Sequence, residues 1–138
     1  MVDAPVAPMS RGSKLMVWIG RVIGALPLAA LFMSAWMKLS KAEVAVKGWE
    51  QAGLPAGTLV PIGVVELVCA ILYLIPQTAV LGAILLTGYL GGAVVTHVRA
   101  SEDFSAPIII GVMLWVGLYL RDSRVRSLAP WRFLPAKG

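Results

Sequence analysis

Four long stretches of this chain carry almost no charge, and that limits it to few folds. One of them reads "PIGVVELVCAILYLIP", residues 61–76, with Glu66 as its one charged residue. A helix of about 20 apolar residues matches the roughly 30 Å hydrocarbon layer of a bilayer, where backbone groups must be bonded within the protein. The 138 residues are 59% hydrophobic and only 14% charged, whereas a water-soluble domain is nearer about 25% charged. The expected fold is therefore all-α, an integral membrane four-helix bundle.

The first span begins near Leu15. Because Arg21 falls inside it, the helix is expected to let Arg21 snorkel to one interface and to continue past Lys38 toward Val44. Pro27 should bend it, since its ring removes one helical hydrogen bond. The second span runs from about Ala56 to Ile75, the third from about Thr78 to Val98, and the fourth from about Ala106 to Leu120. The fourth is short for a bilayer and calls for interfacial aromatics or local thinning. Only "PQT" separates spans 2 and 3, so they form a tight antiparallel hairpin.

Charge sets the orientation. Arg11, Lys14 and Arg21 lie toward the N-terminus, and Arg121, Arg124, Arg126, Arg132 and Lys137 toward the C-terminus. The connection "SKAEVAVKGWEQAGLPAG" is balanced and "RASEDFSA" is neutral to acidic. Basic residues collect on the cytoplasmic side, so both termini are expected inside. This divides the chain into a cytoplasmic segment 1–14, a four-span domain 15–121 and a basic juxtamembrane tail 122–138. The tail, with Leu128, Trp131, Phe133 and Leu134 among its arginines and stops at Pro130 and Pro135, suits an interfacial element on anionic headgroups.

Several function classes drop out. The net charge of +5 is accounted for by topology and lipid contacts, so nucleic acid is not an expected partner. Cys69 is alone, which excludes an internal disulfide or a CxxC redox pair. One His and one intramembrane Glu do not form a metal set. The N-terminal segment contains Asp3 and two prolines before its basic residues, unlike a cleaved signal, so the first span is expected to be retained. No repeat or low-complexity segment is evident.

Ionisable groups in a bilayer cost several kcal/mol each unless paired or hydrated, and so mark candidate sites. They are Lys38, Glu66, His97 and Arg99, with Ser34, Tyr73, Tyr89 and Thr96 as polar neighbours. On a helical period Glu66 shares a face with Leu59, Gly63, Cys69, Ala70 and Tyr73, which should turn inward, whereas Val64, Val68 and Ile75 face lipid. Spans 1 and 3 both run outward, bringing Lys38 and His97 toward the same leaflet as Glu66, with Lys38 the preferred charge partner and His97 the next. Each residue also has a plainer reading: Glu66 as a packing or salt-bridged residue, Lys38 as an interface anchor, His97 and Arg99 as boundary markers. Gly88, Gly92 and Thr96 form a small-residue stripe that lets another helix approach. The five tryptophans are read as interfacial belt residues, and Gly111 and Gly117 as packing contacts.

The ordered motifs "SAWMKLS", "GLP", "GVVELVCAILYLIP", "LGAILLTGYLGGAVVTHVRA" and "WVGLYLRD" together resemble the DoxX-like family of small four-helix bacterial membrane proteins, over roughly residues 15–125. The resemblance implies a four-helix bundle in the bacterial cytoplasmic (inner) membrane, and a family polar signature falling on Lys38, Glu66, His97 and Arg99. It also implies association with redox chemistry, since some relatives are subunits of a thiosulfate:quinone oxidoreductase. No intrinsic cofactor is expected, and a quinone enters only through this resemblance. With no catalytic motif of its own, the chain is read as an accessory or redox-associated subunit. Its expected partners are the bilayer, anionic lipids, and a second copy or a membrane redox protein. The alternatives are a small-molecule or proton-linked carrier using the same residues and a purely structural assembly partner.

Overall fold

The computed structural model describes residues 11–128; the expectations placed on the first ten residues and on Trp131, Phe133 and Leu134 lie outside them. The described residues form α1 (Arg11–Leu39), α2 (Glu43–Gln51), a 3-10 turn (Ala56–Thr58), α3 (Leu59–Leu74), α4 (Ala79–Arg99), α5 (Ser105–Arg121) and α6 (Ser123–Leu128). Among the described residues, three segments are long and apolar enough to cross a membrane: Ser13–Leu39, Ala56–Leu74 and Ala79–Arg99. The fourth apolar helix, α5, has 17 residues, about 26 Å of helix. These helices form a ring in which α1 touches α3 and α5, and α4 closes the other side against the same two.

Helix α1 does not continue toward Val44. It stops at Leu39, and Lys41 takes a left-handed conformation (φ 53°). The Ala42 amide donates to Met37 O (2.9 Å) and the Lys41 amide to Lys38 O (3.3 Å). These two bonds satisfy carbonyls that the helix end would otherwise leave unpaired. The same device ends α2 at Gly53 (φ 67°) and α4 at Ser101 (φ 56°), where the Leu54 and Glu102 amides reach Trp49 O and His97 O. The charged connection after α1 therefore folds into α2, an amphipathic helix with an exposed Lys47–Glu43 pair on its polar face.

Glycines set the closest approaches. A Cβ on Gly117 would lie 2.8 Å from Gly24 Cα, and one on Gly20 would lie 2.8 Å from Gly117 O, so α1 and α5 cross backbone to backbone. A Cβ on Gly82 would run into the backbone of Leu72 and Tyr73, which closes the α3–α4 hairpin at its turn. Leu28, Leu31, Ala70, Tyr73, Leu86 and Leu114 fill the space between. Pro27 is buried on this core face without ending α1. In α3 the buried residues are Leu59, Gly63, Glu66, Cys69, Ala70 and Tyr73, the face expected from the period, while Val64, Val68 and Ile75 are exposed. Trp18, Trp36 and Met33 likewise point outward from α1, as a membrane-facing surface requires.

Candidate functional site

Glu66 stands midway along α3 and is 1% exposed, the one buried charged side chain among the described residues. It turns inward because its face is otherwise small and apolar. Lys38, in the last turn of α1, comes down to meet it, and its Nζ donates to Glu66 Oε2 at 2.9 Å. Its stem passes directly over Gly63, where a Cβ would lie 2.8 Å from Lys38 Cβ. Gly63, one turn before Glu66, therefore leaves the gap through which the lysine reaches the carboxylate.

Ser34 completes the junction. It lies one turn before Lys38, accepts a second hydrogen bond from the ammonium, and donates from Oγ to Glu66 Oε2 at 3.3 Å. An ammonium has three donors; two are used here, and the Lys38 side chain keeps 15% of its surface exposed. Tyr89 of α4 brings its ring to 6.0 Å from the ammonium and sits beside the Glu66 carboxylate. No buried side-chain nitrogen or oxygen among the described residues is left without a hydrogen-bond partner.

This junction borders a cavity of about 480 Å³. Ser34, Lys38 and Tyr89 supply its polar end, Ile62 and Val65 one apolar wall, and Gly88, Gly92 and Ala93 the other. Helix α2 covers the remaining side with Val44, Gly48, Trp49 and Ala52. The Trp49 indole N–H donates to Pro55 O (3.2 Å) and Thr58 Oγ (3.1 Å), tying α2 to the start of α3. Trp49 is thus part of the cavity wall. Trp115 is partly buried, donating to Thr87 Oγ at 2.8 Å beside a second, apolar groove between α4 and α5.

The remaining candidates separate by position. His97 lines the far end of the cavity, and its Nδ1 lies 2.8 Å from Ala93 O of its own helix. Eight residues separate it from Tyr89, about 12 Å of helix, so it does not join the Lys38–Glu66 contact. Thr96 also lines the cavity, its hydroxyl bonded to Gly92 O at 3.0 Å. Arg99 is exposed and points toward the turn at Gly53. Tyr73 lies two turns beyond Glu66 in the core, where its hydroxyl donates to Leu114 O (2.7 Å) and Arg121 covers its ring at 4.6 Å. Arg121 also donates to Tyr73 O at 3.0 Å, so these residues join α3 to α5 at the opposite end of the bundle. Gly88 and Gly92, expected to admit a neighbouring helix, face open space among the described residues: a Cβ on either would meet nothing within 4 Å.

Sequence reasoning passed over Gly63 as a positioning residue and α2 as a wall. The signal for α2 was present in Val44, Gly48, Trp49 and Ala52, which recur at helical spacing with Glu43, Lys47 and Glu50 interleaved. Among the described residues, no three of His, Cys, Asp and Glu gather to hold a metal.

A family model described as the DoxX-like family matches residues 22–118, more than half of the chain. That range includes Lys38, Gly63, Glu66, Tyr89 and the whole of α2. No curated protein and no solved structure matches the chain.

Proposed function

The chain belongs to the DoxX-like family, and from that premise we propose that it is a redox-associated subunit of the bacterial cytoplasmic membrane that binds a quinone-class ligand beside the Lys38–Glu66 pair. One observation carries this reading: the ammonium of Lys38 uses two of its donors on Ser34 and Glu66 while bordering an apolar cavity. The third donor suits a ring carbonyl, and the walls of Ile62, Val65, Gly88 and Trp49 suit a flat apolar body. Tyr89 beside Glu66 adds a phenol at the polar end of the cavity.

In this reading α5 is the fourth crossing and the basic ends of α1 and α5 lie inside, which sets the cavity in the outer leaflet. Exchange is one-sided, because Leu28, Leu31, Tyr73, Leu86 and Leu114 pack the interior beyond Glu66. That packing speaks against the carrier alternative. The protein purified in mild detergent should retain a quinone extractable by organic solvent, and Glu66→Gln should weaken quinone binding in a titration. No extractable quinone, together with no saturable binding by the wild type, would sink the proposal.

A further inference from the structure

The cavity reaches the exposed apolar surface between α3 and α4. Helix α2, held by the Trp49 bonds to Pro55 and Thr58, lies across its end. Along its side, Val65 both lines the cavity and is 53% exposed, and Gly88 and Gly92 are likewise lining and exposed. Their neighbours Val64, Val68, Ile84 and Val95 belong to the exposed apolar surface of α3 and α4. Near the hairpin turn these two helices touch through Gly82 and Tyr73, but at Gly88 and Gly92 the side-chain space is empty. A ligand headed by the Lys38 ammonium thus has an apolar way out between α3 and α4, whereas the end of the cavity at Thr96, His97 and the exposed Glu102 is polar.

Resting on the quinone reading, we propose that the ligand is an amphiphile whose hydrocarbon tail leaves over Gly88 and Gly92 into the acyl-chain region of the bilayer. The two glycines then act as specificity determinants, because any larger side chain occupies the path of the tail. From Gly88 to Gly92 the opening is about 6 Å long. A tail laid along it keeps its methylenes out of water and in contact with Ile62 and Val65. The polar head stays at the only ion pair facing the cavity among the described residues. The competing occupant of such a stripe is a helix from a second copy.

The test uses the full chain in nanodiscs and two quinones with the same ring, one with a decyl tail and one bearing only methyl groups. Binding is read from quenching of Trp49 fluorescence, with Trp49→Phe as background. Gly92→Leu should weaken the decyl quinone by about tenfold or more, equivalent to losing the burial of about two methylenes, and change the tailless one by less than about twofold. Gly91→Leu is the control: it lies on the same helix, is equally free of contacts, and lines the other groove. It should change neither.

Equal weakening of both quinones by Gly92→Leu, or no effect on either, overturns the inference. So does an altered oligomeric state without tail discrimination, which would assign the stripe to a second copy. If the wild type binds neither quinone, the quinone reading falls separately. The path is then judged with a lauric acid carrying a terminal diazirine. Crosslinks concentrated at Val65 and Gly88–Gly92 support the path, and labelling spread evenly over the exposed helix faces overturns it.

Discussion

Lys38 Nζ lies 2.9 Å from Glu66 Oε2 across a separation of 28 residues, and the pair joins the end of α1 to the middle of α3. Removing either partner strands the other. Glu66 is 1% exposed, whereas Lys38 keeps 15% of its side-chain surface exposed and lines the cavity. Breaking a buried pair from one side costs about 3–5 kcal/mol, while replacing both charges by apolar groups is often neutral. Lys38→Met should therefore destabilise the protein more than Glu66→Gln, and Lys38→Met with Glu66→Leu should recover to within about 1 kcal/mol of wild type. Thermal unfolding in detergent checks the stability. The double variant should still lose quinone binding, and if it binds normally the pair is purely structural.

Gly63 should matter through Lys38 rather than through contact with ligand. A methyl at this position would sit 2.8 Å from Lys38 Cβ and 3.5 Å from Ala35 O. The lysine stem must shift, which costs about 1–3 kcal/mol in a filled site. In Gly63→Ala the coupling between Lys38 and Glu66, measured by a double-mutant cycle, should shrink toward zero. Undiminished coupling would show that the close passage has no role in placing the ammonium.

Much of this was legible in the sequence because hydrophobic period and intramembrane charge are local signals. The inward face of α3 follows from spacing alone, and Lys38 as partner to Glu66 follows from a long side chain at the outward end of span 1 reaching toward a carboxylate deeper in the same leaflet. The end of α1 was not legible: Lys41 adopts a left-handed backbone that lysine rarely takes, so nothing marks the stop before α2. The stripe at Gly88 and Gly92 shows the same limit. Small residues four apart record room for a close neighbour, not whether that neighbour is a helix, a ligand or lipid.

The glycines therefore divide into two classes with opposite responses to alanine. At Gly117 a Cβ would meet Gly24 Cα and N at 2.8 Å, backbone atoms that cannot turn aside. Gly117→Ala should lower stability by about 1–3 kcal/mol by separating α1 from α5. Gly88→Ala adds its methyl to open space in a helix, and should raise stability by about 0.4–1 kcal/mol. Unfolding midpoints of the two variants in one detergent decide the point, and equal losses would contradict the assignment of an open face at Gly88.

Asp103, just before the start of α5, accepts from the Ser105 amide at 2.9 Å and from its hydroxyl at 2.7 Å. These bonds favour the carboxylate and hold its pKa below the ordinary aspartate value, with His97 adding a smaller pull in the same direction. A lowered folded-state pKa means that the stabilisation is present above the unfolded value and is lost as pH falls through the folded one. A carbon-detected titration should show the Asp103 carboxyl titrating at lower pH than a free aspartate. In Ser105→Ala its midpoint should move back up, and an unchanged midpoint would remove the hydroxyl as a cause.

The polar contacts at the two ends of the bundle should be separable. Tyr73→Phe removes the hydroxyl that donates to Leu114 O at 2.7 Å but keeps the ring under Arg121. The loss is one buried hydrogen bond, about 0.5–1.5 kcal/mol. The Leu114 carbonyl keeps its helical partner, because Leu118 lies one turn on within α5. Tyr73 lies seven residues from Glu66, about 10 Å along α3, and lines neither wall of the cavity. Tyr73→Phe should lower the unfolding midpoint while leaving quinone affinity within about twofold of wild type. Tyr89→Phe should reverse that pattern, since its hydroxyl faces Glu66 and the cavity. If both variants weaken binding equally, the two clusters form one coupled unit, and the one-sided site beside Lys38 is the wrong description of how the protein holds its ligand.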